Sequence, residues 1–364
     1  MKNFSNFLKM SCIIIVLSLF GCSGGGTDTN DTSDKTVNVY ASGECYDNSD
    51  FRVPGYWKNG EWFQLSSLEN QHASAYSIVI SSGNIYAGGF SANSGVAIPG
   101  YWKNRIWNPL PYLNTNAIVF SLVVSGSDVY ASGYCMENSA PSTLCHPGYW
   151  KNGVWCPLVE IESSTTSEAR SLVIVGNDVY AGGSCLVGIK RVAVYWKNNT
   201  VFPLPALDSN RYSHVYSLVV SGEDIYAGGY STNSSGIKVP GFWKNSVWYP
   251  LTPVDDTKDS LVFSIKVIDE DIYAAGYSTN SLGVQVPGYW KNNVWIPLTP
   301  VDDTKNSFVF SLDISGEDVY SGGYSTNSSD VQIPGYWKND VWNPLPPVVD
   351  TKGGRVISLT LVTE

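Results

Sequence analysis

Val262–Leu298, VFSIKVIDEDIYAAGYSTNSLGVQVPGYWKNNVWIPL, is the stretch from which the rest of the chain can be read. Relatives of it fill nearly everything after residue 35. The tyrosine of its Tyr-Ala step recurs as Tyr40, Tyr86, Tyr130, Tyr180, Tyr226, Tyr273 and Tyr320. The tryptophan of its Tyr-Trp-Lys-Asn run recurs as Trp57, Trp102, Trp150, Trp196, Trp243, Trp290 and Trp337. Most spacings lie between 44 and 48 residues, a period that marks stacked supersecondary units. There are seven copies.

Each copy reads as four short strands, typified by Val309–Ile314, Val319–Tyr324, Val331–Trp337 and Val341–Leu345. A Ser-Gly-Glu-Asp turn, a Ser-Thr-Asn-Ser loop and a Lys-Asn turn join them. The last turn becomes Asn59-Gly60 and Asn152-Gly153 in copies 1 and 3, a strong hairpin signal. A longer Pro- and Asp-containing link such as Thr299–Asn306 then crosses to the next copy. That connectivity is expected to give an all-β fold, a seven-bladed β-propeller of four-stranded antiparallel blades. The chain enters at Val37–Tyr40, a second strand, and leaves through Val356–Val362, a first strand. The C-terminal strand is therefore expected to join the N-terminal blade and close the ring, leaving no edge unpaired.

All thirteen tryptophans fall at two positions of the repeat. The second position holds Trp62, Trp107, Trp155, Trp248, Trp295 and Trp342, with Phe202 read as its counterpart in copy 4. The second strand carries Gly88-Gly89, Gly182-Gly183, Gly228-Gly229 and Gly322-Gly323, or Ser42-Gly43, Ser132-Gly133 and Ala275-Gly276. Its second place is always glycine, which predicts that a Cβ is forbidden there by backbone angle or by a close neighbour.

The diglycine, followed by a tyrosine and a tryptophan six positions apart (Tyr56/Trp62, Tyr101/Trp107, Tyr149/Trp155, Tyr289/Trp295, Tyr336/Trp342, and Phe242/Trp248), resembles the kelch-type propeller repeat. Copy 4 departs, with Tyr195 and Phe202 seven apart. The resemblance implies a binding scaffold. The oxidase members of that family use a copper site built from Tyr, His and a Cys-Tyr crosslink, which three scattered histidines do not supply, so no cofactor is expected.

The beginning of the chain is of a different kind. Lys2 and Lys9 precede an apolar run, Met10–Phe20, too short for a bilayer core of about 30 Å, which needs roughly 20 residues. It has the length of a secretory h-region. Its end, Leu19-Phe20-Gly21-Cys22, resembles the lipobox of bacterial lipoproteins, which implies cleavage before Cys22 and acylation of it. Residues 1–21 are thus expected to be a lipoprotein signal peptide, 22–35 a lipidated tether with no apolar residue after the Ser-Gly run, and 36–364 the propeller. Ser23 after the cysteine argues by analogy against inner-membrane retention. The expected location is the bacterial envelope, at the outer membrane or cell surface.

Removing residues 1–21 takes two lysines and no acid from 22 Lys+Arg and 32 Asp+Glu, leaving a net charge near −12. An acidic surface argues against nucleic acid as a partner and against adsorption to anionic lipid, so the membrane is met through the acyl anchor only. Besides Cys22, the mature part holds Cys45, Cys135, Cys145, Cys156 and Cys185. Exported chains keep disulfides; Cys135 and Cys145, flanking one hairpin loop, are the candidate pair, beside the reading that all five are small buried residues. Without a CxxC and with three histidines, no metal site is expected.

Catalytic motifs are absent, and His72, His146 and His214 lie in different copies at different repeat positions, so no catalytic residues are assigned. Asp128, Asp178, Asp224, Asp271 and Asp318 fall in tight turns, where aspartate usually bonds the local backbone. Asp255-Asp256 and Asp302-Asp303 lie in crossover links without an EF-type loop. Copy 4 replaces Pro-Gly with Ala193-Val194 and brings Lys190 and Arg191 together, with Arg170 and Arg211 in the links on either side. In so acidic a chain this basic spot is the candidate site for an anionic partner. The expected function is a lipid-anchored interaction scaffold binding a protein. The alternatives are a glycan-binding protein using Tyr112, Phe51 or Tyr46, and an enzyme with its site at the channel mouth.

Overall fold

The computed structural model describes residues 36–68, 71–139 and 142–364. Every regular element among them is a β-strand, and the strands form five four-stranded antiparallel sheets and one eight-stranded sheet, a β-propeller-like architecture. Thr36–Glu364 makes one contact unit. The expected lipid site, Cys22, and the expected signal and tether lie outside the described residues.

Each copy is a meander in which successive strands pair with their neighbours. In copy 6 these strands are Ser260–Ile268, Asp271–Thr279, Gln285–Lys291 and Val294–Pro297. The third and fourth strands are joined by a two-residue turn that needs positive φ twice, as hairpins of this twist demand. Asn59 (49°) and Gly60 (89°) supply it in copy 1, Asn292 (48°) and Asn293 (68°) in copy 6. The fourth strands are only four residues long, which limits the exposed edge.

Copies 3 and 4 depart from the expected separate blades. Their meanders share one sheet through a single parallel bridge between Cys145 and Thr166. Copy 3 has a long central hairpin, Asp128–Ser139 with Ser142–Lys151, and copy 4 opens with a twelve-residue strand, Ser164–Val175. The elongated ends meet where the shorter strands of other copies stop. Gly354–Thr363, at the C-terminus, pairs antiparallel with Val37–Tyr46.

Two sets of hydrogen bonds fasten neighbouring copies. Each third-strand tryptophan is at most 1% exposed and donates its indole N–H to a backbone carbonyl just past the fourth strand of the preceding copy. Trp102 reaches Ser66, Trp150 Pro111, Trp196 Val159, Trp243 Pro205, Trp290 Thr252 and Trp337 Thr299, at 2.7–2.8 Å. Trp57, in the first copy, reaches Pro346 in the last at 2.9 Å. The second set joins first strands, where Ser77 Oγ accepts from the Leu122 N–H, Ser217 Oγ from Ile265 and Ser358 Oγ from Ile78. These serines satisfy amides on a strand edge that has no ladder partner.

The paired tryptophans of the third and fourth strands touch at 4.2–4.5 Å between ring centroids. In copy 4 the register corrects the sequence reading: Trp196 faces Val201, and Phe202 faces Tyr195 and stacks on it at 4.8 Å. The turn there has the ordinary length, so valine, not Phe202, replaces the second tryptophan.

Candidate functional site

The constant glycine of the second strand decides where the site lies. Its φ is ordinary, but a Cβ on Gly276 would stand 1.9 Å from the Leu261 carbonyl oxygen across the ladder. The same first-strand carbonyl lies 1.8–2.0 Å from the virtual Cβ at Gly43, Gly89, Gly133, Gly183, Gly229 and Gly323. Beside that carbonyl every first strand carries one extra residue, a β-bulge. Bulges re-aim a side chain and disturb the ladder locally. The glycine leaves room for the bulge, and the bulge turns one residue of each first strand inward.

The seven bulged residues are Tyr76, Phe120, Arg170, Tyr216, Phe263, Phe310 and Ile357. All seven are half-buried, and all seven, with Arg355, line a single cavity of about 300 Å³. The rings touch in sequence: Tyr76 and Phe120 at 5.8 Å, Tyr216 and Phe263 at 5.0 Å, Phe263 and Phe310 at 5.2 Å. The Arg170 guanidinium lies 3.9 Å from the centre of the Phe120 ring and 5.9 Å from that of Tyr216. The result is an aromatic cup with two arginines in its wall.

Behind each arginine stands a buried glutamate. Glu44, fully buried, accepts from Arg355 Nη2 at 2.6 Å and Nε at 2.9 Å, and also holds Ser74 Oγ. Arg52 Nη1 lies 3.7 Å from its other oxygen. Glu168 is met by Arg170 Nη2 at 2.9 Å, Arg191 Nη1 at 2.8 Å and His214 Nε2 at 2.8 Å. Burial alone would raise the Glu168 pKa, but the His214 hydrogen bond and the Arg170 and Arg191 charges outweigh it and hold it far below the carboxylate range. Burial keeps His214 below its ordinary value, hence neutral at pH 7, with Nε2–H donating to Glu168. Four of the chain's six arginines serve these two glutamates, so the groups around the cup sum to about two positive charges in a chain of net charge −10.

The residues singled out from sequence are distributed otherwise. The basic spot is split: Lys190 and Arg191 are neighbours in one strand and so face opposite sides. Arg191 turns to Glu168 and Ser184, whereas Lys190 and Arg211 donate to the Ser209 and Ser234 carbonyls. The Cys135–Cys145 bridge is not formed, and all five cysteines are free thiols. Cys135 faces His146 and Cys145 faces Met136, so the two sulfurs point to opposite faces of the hairpin. The turn aspartates are held not by local backbone but by side chains of the adjacent hairpin turn, Asp128 by Asn152 Nδ2 at 2.8 Å and Lys151 Nζ at 3.2 Å. Asp255 and Asp302 cap Thr257 and Thr304 in their own links. His72 accepts from the Arg52 N–H, and His146 bridges Glu160 and Glu137. Phe51 packs edge-on against His72, and Tyr112 sits in a crossover link at another repeat position, so these two candidate rings do not occupy equivalent places.

The cup was not read from sequence. Its signal was the residue before the serine present in all seven first strands (Ser77, Ser121, Ser171, Ser217, Ser264, Ser311, Ser358), aromatic in five copies and arginine in one. Charges inside strands, at Glu44, Glu168, Arg170 and Arg355, were a second. Among the described residues no group of three or more His, Cys, Asp or Glu side chains is placed to hold a metal ion. No protein-family model and no curated protein matches this chain.

Proposed function

We propose that the chain is a closed seven-bladed propeller, kelch-like in its repeat, which is tethered to a bacterial envelope through an acylated Cys22 and binds its ligand in the aromatic cup. The observation that carries this reading is the cup itself, in which one bulged residue from each of seven first strands lines the same cavity of about 300 Å³. That volume lies at the lower end of the range for small-molecule sites, and a few polar groups among apolar walls is their usual composition. Closure is supported by the tryptophan bonds, which run from copy to copy and return from Trp57 to Pro346. The contacts of Gly354–Thr363 with both Phe308–Ser315 and Ala73–Ser81 support it equally. The seven four-stranded meanders, two of which share one sheet, support a count of seven blades.

A binding role is favoured over catalysis because the buried carboxylates are both spent on cations. A glycan surface would need exposed rings at equivalent places of several blades, and Phe51, Tyr46 and Tyr112 are not so arranged.

Native mass spectrometry of protein purified from its own envelope tests the reading. A small molecule retained by the wild type and missing from Ile357→Trp, which fills the cup, is the expected result. Identical spectra for the two would remove the cup as the binding site. Separately, Cys22→Ser is expected to lose the acyl mass and to leave the membrane fraction; an unchanged membrane fraction would refute the anchor.

A further inference from the structure

We infer that the ligand of the cup is a small organic anion with a flat aromatic body, of the size and charge of an aromatic carboxylate. The inference rests on the cup being the binding site and adds the ligand's chemistry.

Aromatic cups commonly hold cations, because ring faces carry negative potential. Here that place is taken by the protein's own cation, Arg170, against Phe120. The cavity wall contains two arginines and no carboxylate. Both glutamates of the cluster lie behind the wall and neutralise only half of the four guanidinium groups. A cationic ligand would meet uncompensated positive charge; an anionic one completes the balance.

The donors needed are present. A guanidinium offers five N–H groups, and Arg170 spends only Nη2 on Glu168. A planar fork of this kind matches a carboxylate with two parallel hydrogen bonds. The remaining wall is rings: Tyr76, Phe120, Tyr216, Phe263 and Phe310. Such walls favour a second ring in edge-on or offset contact. Inorganic anions satisfy the arginines and leave the rings bare, whereas neutral aromatics do the reverse.

Calorimetric titration of the purified propeller with benzoate, indole-3-acetate, benzyl alcohol and inorganic phosphate separates these cases. At least one of the two aromatic acids is expected to bind with a Kd of about 1 mM or tighter, and benzyl alcohol and phosphate at least about tenfold more weakly. Arg170→Met is expected to lose about tenfold in affinity for the acid and to unfold at a lower temperature while remaining cooperatively folded, because Glu168 retains Arg191 and His214. Ile357→Glu, which adds a carboxylate to the cavity wall, is expected to weaken the acid equally and leaves both glutamate clusters in place. Equal binding of benzyl alcohol, equal binding of phosphate, or undiminished binding by both variants overturns the inference. So does the absence of any titration by either acid at about 10 mM. Benzyl alcohol binding that Ile357→Trp abolishes would leave the cup as a site and remove only its anionic character; no probe binding and no retained molecule would remove both.

Discussion

Trp290→Phe tests the bond that fastens one copy to the next. Trp290 is fully buried and donates to the Thr252 carbonyl at 2.7 Å, whereas Trp295, whose ring lies tilted against it, is half-buried and its Nε1 has no partner. Replacing Trp290 breaks a part-buried hydrogen bond and leaves the Thr252 carbonyl without its donor, a loss of about 1–2 kcal/mol. The smaller ring also leaves a void of roughly 40 Å³, worth about 1 kcal/mol at about 24 cal/mol per Å³. Trp290→Phe is therefore expected to cost about 2–3 kcal/mol. Trp295→Phe loses no hydrogen bond and removes an unpaired donor, so about 1 kcal/mol or less is expected. In urea, with a slope of about 3 kcal/mol/M, the two midpoints should differ by roughly 0.5 M at unchanged slope. Trp57→Phe should behave like Trp290→Phe, although its acceptor, Pro346, comes from the opposite end of the chain. Equal midpoints for Trp290→Phe and Trp295→Phe would refute the role of the indole bond. A Trp57→Phe change without cost would refute the fastening of the last copy to the first.

Three further outcomes follow from the geometry. Gly276→Ala drives a Cβ into the Leu261 carbonyl and is expected to cost about 2–4 kcal/mol, whereas Gly228→Ala meets only side-chain atoms at 3.1 Å and should cost about 1 kcal/mol in the same urea titration. His214 is held below its ordinary 6.5 by burial, so the unfolded chain takes the proton more readily and stability falls as pH drops through 6.5. Glu168, held below its ordinary 4.5 against burial by His214 and the two arginines, contributes stability that is full above 4.5 and lost as pH falls beneath it. His214→Gln keeps a donor toward Glu168 and should flatten the urea midpoint across the first of these windows; an unchanged pH dependence would count against the buried neutral imidazole. Finally, the five cysteines of Thr36–Glu364 should all react with a thiol reagent in denaturant without reductant, and a count of three would restore a bridge. In the folded protein Cys45 and Cys135, whose thiols burial pushes up to about 12, and the equally buried Cys185, whose thiol burial also raises, should be the inert ones.

Periodicity alone fixed the four-stranded meander, the turn chemistry and the pairing of the two chain ends, because each depends on local backbone preference and a repeated apolar pattern. Asn59-Gly60 could be read as a hairpin turn, and Trp57 as core, from neighbours in sequence. The constant glycine was legible as a forbidden Cβ. Which neighbour forbids it was not, since the Leu261 carbonyl opposite Gly276 is placed by strand register. The bulge that follows shifts one residue per first strand out of the alternation, and no local rule predicts that shift. The bases of copy 4 were noticed but misplaced: Arg170 belongs to a first strand rather than a link, and Arg191 faces inward. Cys135 and Cys145 were separated by a one-residue offset that sequence spacing does not display. Sequence determined the blade; only the tertiary structure decided the site, because the cup is assembled from side chains about 46 residues apart, each harmless in its own copy and brought together when the strands that carry them converge.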